Sequence, residues 1–109
     1  MPDLFSVLAE PSRRLILDAL RESEGLLVKD LVALLGLSQP NVSKHLRVLR
    51  TAGLVTESPE RQGRRYRLRA EGLRDVDAWL DPYRTFWTAR LHDLGDHLDS
   101  TRPQEGPRQ

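Results

Sequence analysis

Two short amphipathic patterns separated by a glycine turn, at residues 28–52, constrain this chain more than any other feature. Val28 to Leu35 places Leu31, Leu34 and Leu35 at helical spacing, with Leu27 just ahead. Gly36 follows, a residue favoured just past helix ends because it tolerates the left-handed conformation. Leu37 carries the turn, and Ser38 is placed to cap a second helix running to about Ala52, its hydroxyl accepting a bond from a first-turn N–H. Gly53 supplies the stop. Two helices joined by about three or four residues including glycine have the spacing of a helix-turn-helix.

On a wheel of about 100° per residue, the second helix gathers Gln39, Pro40, Ser43, Lys44, Arg47 and Arg50 within one sector of about 140° and leaves Val42, His45, Leu46 and Leu49 opposite. A run of charge on a helix is usually just a solvated face. Here polar groups start the helix where base contacts are made, a shorter helix precedes it, and an arginine-rich hairpin follows. The amides of Gln39 or Asn41 suit adenine in the major groove, and Arg47 suits guanine or a phosphate. The hairpin is read from Leu54-Val55-Thr56-Glu57, a Pro/Gly turn over 58–63, and Arg64 to Arg69, where Tyr66 and Leu68 alternate with Arg65, Arg67 and Arg69. Near its tip, Arg61, Arg64 and Arg65 are expected to reach the sugar-phosphate backbone or the adjacent minor groove.

The formal net charge of +1 conceals this asymmetry. Residues 38–69 hold 8 basic side chains against 2 acidic, net +6, whereas residues 71–109 hold 5 against 8, net −3. A basic centre followed by an acidic end points to a polyanion-binding segment and a part with another task.

Around this centre, residues 3–9 form a short apolar stretch, broken at Glu10-Pro11-Ser12. A helix is expected from Pro11 to about Glu22, with Leu15, Ile16, Ala19 and Leu20 on its inner face. Beyond Ala70 a helical stripe of Leu73, Val76, Leu80, Tyr83, Trp87, Leu91, Leu94 and Leu98 extends to about Ser100. Pro82 predicts a kink, or a second helix capped by Asp81. Residues 101–109, rich in Pro, Gly and charge, are expected to be disordered.

The fold expected is mainly α with a small β-hairpin wing: one domain over 1–100, its DNA-binding part at about 11–69 and flanking helices at about 3–9 and 71–100. The stripe, with Trp79 and Phe86 beside it, exceeds what so small a core covers. It packs on its own subunit or, the favoured expectation, on a second copy, with Leu4, Phe5 and Leu8 completing a two-fold interface. Two recognition helices about 34 Å apart would then require a pseudo-palindromic operator in double-stranded DNA.

Several function classes are set aside. No cysteine is present, which excludes disulfides, thiolate metal sites and cysteine nucleophiles. No apolar run approaches the roughly 20 residues of a membrane span and the start lacks a secretory pattern, so a soluble, cytoplasmic protein with no membrane partner is expected. Ser43, His45 and Asp30 suggest a hydrolase triad, yet no G-x-S-x-G elbow or Gly-rich phosphate loop is present. His45 falls on the core side and is read as a hydrogen-bonded structural histidine, and neither catalysis nor a cofactor is expected. His92, Asp93, Asp96 and His97 raise the question of zinc. Asp93 and His97, four apart, share a helix face whereas His92 and His97 do not, and the incomplete ligand set leads to the expectation of no metal.

The stretch Leu37-Ser38-Gln39-Pro40-Asn41-Val42-Ser43-Lys44-His45-Leu46-Arg47-Val48-Leu49-Arg50-Thr51-Ala52-Gly53-Leu54-Val55 closely resembles the recognition helix and first wing strand of the ArsR-type winged-helix repressors. Leu8-Ala9-Glu10-Pro11-Ser12-Arg13-Arg14-Leu15-Ile16-Leu17 and Gly63-Arg64-Arg65-Tyr66-Arg67-Leu68 resemble the family's N-terminal and wing segments. The resemblance spans roughly residues 4 to 69 and rests on several spaced segments rather than one motif. It implies a dimeric winged helix, repression by operator binding and often release by a ligand. Carried over, the DNA-contacting positions are Ser38, Gln39, Asn41, Ser43, Lys44 and Arg47, with Arg61, Arg64 and Arg65 in the wing. Phe86-Trp87, then Arg90-Leu91 and Leu94, resembles a thiol-free branch whose inducers are mostly not metals. An aromatic-lined seam suits an apolar small molecule, although aromatics at helical spacing are more often core. The competing function is a winged-helix module whose basic face binds protein or RNA; Gln39, Asn41 and Ser43 favour base edges over such a partner.

Overall fold

The computed structural model describes the backbone of residues 3–99 and the side chains of residues 3–94. The elements are α1 (Leu4–Ala9), α2 (Pro11–Arg21), β1 (Leu26–Leu27), α3 (Val28–Leu35), α4 (Gln39–Thr51), β2 (Val55–Glu60), β3 (Gly63–Leu68), a 3₁₀ turn (Ala70–Leu73) and α5 (Arg74–Asp99). The chain divides between Val76 and Asp77 into two units.

In the first unit most helix starts are fixed by side chains that satisfy orphan backbone donors. Asp3 Oδ1 accepts the N–H groups of Phe5 at 2.8 Å and Ser6 at 3.1 Å, and Glu10 accepts from Ser12 at 3.1 Å, with Pro11 opening α2. The Asp30 carboxylate accepts from Leu27 N–H at 2.9 Å at the head of α3. That helix ends in Gly36 at φ 69°, and Ser38 Oγ accepts the Asn41 N–H at 3.3 Å to start α4. The helix-turn-helix is therefore built as its spacing requires.

The core is Val7, Ile16, Leu17, Leu20, Leu31, Val42, Leu46, Leu49, Leu54 and Val55. One detail departs from expectation: helix α2 is turned so that Leu17 is buried and Leu15 is 50% exposed. In α1 Val7 points inward while Phe5 stays outside. Leu4, Leu8 and Leu73 pack partly against this same core.

The sheet has three antiparallel strands in the order β1-β3-β2. Strand β1 was not anticipated; it pairs Leu26 with Tyr66 and Leu27 with Arg65. The hairpin turn is shorter than residues 58–63, because β2 continues through Pro59 to Glu60 and only Arg61 and Gln62 remain between the strands. Pro59 is tolerated because β2 is an edge strand, where a missing N–H breaks no ladder.

Helix α5 continues through Pro82 as one element, so of the two expectations there the second helix capped by Asp81 does not form. The proline deprives the Ala78 carbonyl of its helical donor, and both residues are exposed. In the second unit Trp79, Tyr83 and Trp87 form a ladder with centroids 5.0 and 6.5 Å apart. The Arg90 guanidinium stands 4.6 Å over the Phe86 ring. Trp79, Tyr83, Phe86, Trp87, Leu91 and Leu94 are each 45–66% exposed. The Leu98 side chain and residues 100–109, including the expected tail, lie outside the described residues. Among the described residues no helix is long and apolar enough to cross a membrane.

Candidate nucleic-acid interface

Helix α4 has two faces because its apolar residues recur at helical spacing. Val42, His45, Leu46 and Leu49 are buried; Ser38 at its cap, then Gln39, Pro40, Asn41, Lys44, Arg47 and Arg50 are exposed, with Ser43 half-buried between. The hairpin stands beside this exposed face. Ser43, Arg47 and Arg50 form one wall of a groove of about 260 Å³, and Glu57, Arg64 and Tyr66 the other. Sharing Ser43, Arg64 and Tyr66, a neighbouring cavity of about 460 Å³ extends past Gln39 and Gln62 to Lys29 and the apolar side chains of Leu27, Val28 and Val32.

The cations fall into two groups. Lys44, Arg47 and Arg61 are exposed and make no ion pair or hydrogen bond among the described residues. Others are held: Glu57 pairs with Arg50 and with Arg64, the latter at 3.2 Å. Arg65 is placed differently from the tip position expected. Its Nε meets Glu60 at 2.6 Å and its Nη1 donates to the Gly25 carbonyl at 2.9 Å, tying the loop before β1 to the hairpin. Strand alternation puts it on the opposite face from Arg64 and Tyr66. Arg67 is likewise engaged, donating to Ser58 Oγ at 3.0 Å.

Glu57 and Tyr66 were not among the expected site residues. They lie opposite each other in the β2–β3 register. Burial first, then its hydrogen bond with Glu57, raises the Tyr66 hydroxyl above its ordinary pKa. One signal was available: Glu57 is one of only two acids in the basic stretch 38–69.

His45 is the structural histidine expected from its place on the wheel. Its Nδ1 accepts the Arg13 Nε–H at 3.2 Å, and Arg13 Nη1 reaches the Val7 carbonyl at 3.4 Å. Of the residues considered for a hydrolase triad, Asp30 accepts the Leu27 N–H at the head of α3 and His45 accepts from Arg13. Burial first, then the Arg13 charge, lowers the His45 pKa from 6.5; Glu10 opposes them, and Lys44 adds the smallest lowering. The unfolded chain thus takes up a proton near its ordinary value while folded His45 remains neutral. Stability from this residue is present above 6.5 and is lost as the pH falls through the lowered folded value. Urea midpoints between about pH 7.5 and 5.5 should fall for the native chain and flatten in His45→Gln; parallel curves would assign the loss to other groups.

Among the described residues no three His, Cys, Asp or Glu side chains form a metal-holding group. Asp96 and His97, half of the zinc question, have side chains outside the described residues.

The family model for bacterial regulatory proteins of the arsR family matches residues 10–57. The chain is 38% identical over 96 residues to the HTH-type transcriptional regulator Rv2034 of Mycobacterium tuberculosis, covering 88% of this chain and 86% of that protein. It is 42% identical over 111 residues to the arsenic resistance transcriptional regulator ArsR1 of Pseudomonas putida, covering 91% and 83% respectively. A crystal structure titled as a possible transcriptional regulator for arsenical resistance superposes with a TM-score of 0.68 at 35% identity, covering 95% of this chain and all of that one.

Proposed function

Since this chain belongs to the bacterial arsR family and is a DNA-binding transcriptional regulator rather than an enzyme, we propose that it represses by seating the exposed face of α4 in the major groove, as one half of a homodimer. The observation that carries this reading is the pairing of that face, with its uncommitted Lys44 and Arg47, to a hairpin whose Arg61 stands free at the turn. Gln39, Asn41 and Ser43 offer donors and acceptors to base edges, with Ser38 and Pro40 at the helix entry. Lys44, Arg47, Arg50, Arg61 and Arg64 supply charge to phosphates; Arg65 acts through the loop it holds. Against a generic protein or RNA partner, this base-edge chemistry would be superfluous.

The homodimer reading is supported by the exposed row Trp79, Tyr83, Phe86, Trp87, Leu91 and Leu94 on α5 and by exposed Phe5 on α1. So extended an apolar row on α5 marks an interaction site. In the sequence Val76, Leu80 and Leu98 fall on the same stripe, and Leu4, Leu8 and Leu73 are only partly buried against the core. A two-fold seam gives a pseudo-palindromic operator with half-sites about one helical turn apart. Two of the similar proteins are named for arsenic or arsenical resistance. With no cysteine in its 109 residues, this chain lacks the thiolates that soft metals and metalloids prefer, and arsenic sensing is not carried over to it.

The test is retardation of a labelled fragment from the chain's own upstream region across a salt series, with an unrelated duplex as competitor. Specific binding with a steep negative salt slope and two chains per site is expected. One chain per site would overturn the two-fold reading, and no preference over competitor would overturn operator recognition.

A further inference from the structure

The two acids of the basic stretch are not equivalent. Glu60 is exposed at the end of β2, is ion-paired with Arg65 and also feels the charge of Arg67, all within the hairpin. Glu57 lies inside the groove with its side chain only 14% exposed, and binds groups from both walls: Arg50 near the end of α4, Arg64 on β3 and the Tyr66 hydroxyl. A carboxylate in a surface that faces phosphates works against the ligand. Its effect is set by charge balance: two guanidiniums sharing one carboxylate present one net positive charge, not two. It also confines two long side chains that would otherwise follow any passing phosphate.

We propose that Glu57 is a positioning residue that restrains sequence-independent DNA binding, its carboxylate shared between Arg50 of the recognition helix and Arg64 of the wing. The inference rests on the DNA-binding face assigned above. Base contacts from Gln39, Asn41 and Ser43 then contribute a larger share of the total, because the phosphate attraction common to every duplex is reduced. The same link couples hairpin to helix, so the wing's arginine and the helix's arginine approach DNA as one unit.

The experiment measures binding of the full chain to a mixed-sequence duplex of about three helical turns over a salt series of about 50–300 mM. Glu57→Gln keeps the side chain's shape and an acceptor for Tyr66 while removing the charge. It should steepen the salt slope by about one per bound subunit and tighten mixed-sequence binding about five- to tenfold at the low-salt end. Glu57→Asp, which keeps the charge, should stay near the native slope. Glu22→Gln, the same charge change beside Arg21 and outside the groove, should alter neither quantity, and circular dichroism should show native helix content in all three. An unchanged slope in Glu57→Gln, or an equal change in Glu22→Gln, overturns the inference while leaving the DNA reading intact. A native chain that binds no duplex at any salt overturns the DNA reading, and this inference with it.

Discussion

Lys44→Ala combined with Arg47→Ala abolishes operator retardation at physiological salt while leaving the folded chain as stable as the native one. Both side chains are exposed and neither enters an ion pair or hydrogen bond among the described residues, so their removal sacrifices no internal contact and shifts stability by less than about 0.5 kcal/mol. The effect on DNA is far larger. Each cation on a phosphate accounts for about 0.9 of the logarithmic salt slope, and a bidentate contact to guanine for about 1–3 kcal/mol. Two such losses amount to at least about 2 kcal/mol per subunit, or about a thousandfold across two half-sites. Gel retardation beside urea unfolding separates the two quantities. Affinity within about threefold of native would mean that another surface carries the DNA.

Gly72→Ala has the largest expected effect on stability. A Cβ built there would stand 2.2 Å from the Gly53 carbonyl oxygen, 2.9 Å from its carbon and 3.1 Å from Leu54 Cδ2. Backbone cannot rotate aside as a flexible side chain can, and Gly53 is itself held at φ 79° just past α4. The 3₁₀ turn must therefore lift off, uncovering Leu54, which is fully buried, and pulling Leu73 away from the core. The cost is about 3 kcal/mol or more, a large part of the roughly 5–15 kcal/mol that holds a domain together. Gly36→Ala is the natural comparison: it meets open space and suffers only from its φ of 69°, costing about 1–2 kcal/mol. Equal urea midpoints for the two variants would show that the close approach carries no weight.

What was legible in the sequence follows from where each signal resides. Helix α4 announces itself locally, through the Ser38 cap, the apolar period and Gly53, so both its boundaries and its exposed face were readable from a wheel. Strand β1 does not, since two leucines become a strand only when Tyr66 and Arg65 arrive beside them. Pro59 points to a turn, and Pro82 to a kink or a new helix, because proline removes a donor. Pro59 sits at a sheet edge, where no ladder bond is lost, and Pro82 on a stretch of helix where the one carbonyl left without a donor is exposed. The exchange of Leu15 for Leu17 in the core reflects two apolar faces that differ by a fraction of a turn, which tertiary packing alone decides. Lys44 and Arg47 stand out in the sequence by charge and position on the wheel, whereas Glu57 does not, because its role depends on partners seven residues away in either direction. Arg65 could have been separated from Arg64 by strand parity, which sends adjacent residues to opposite faces.

A hairpin that projects into solvent with one open flank invites fibril-like association, because an unpaired strand edge is a template for another chain. This sheet gives such growth little to use. On one side β1 offers only two residues, and on the other Pro59 removes a donor from the outer rim of β2. A regulator that displays its wing thus carries its own guard against edge-to-edge association.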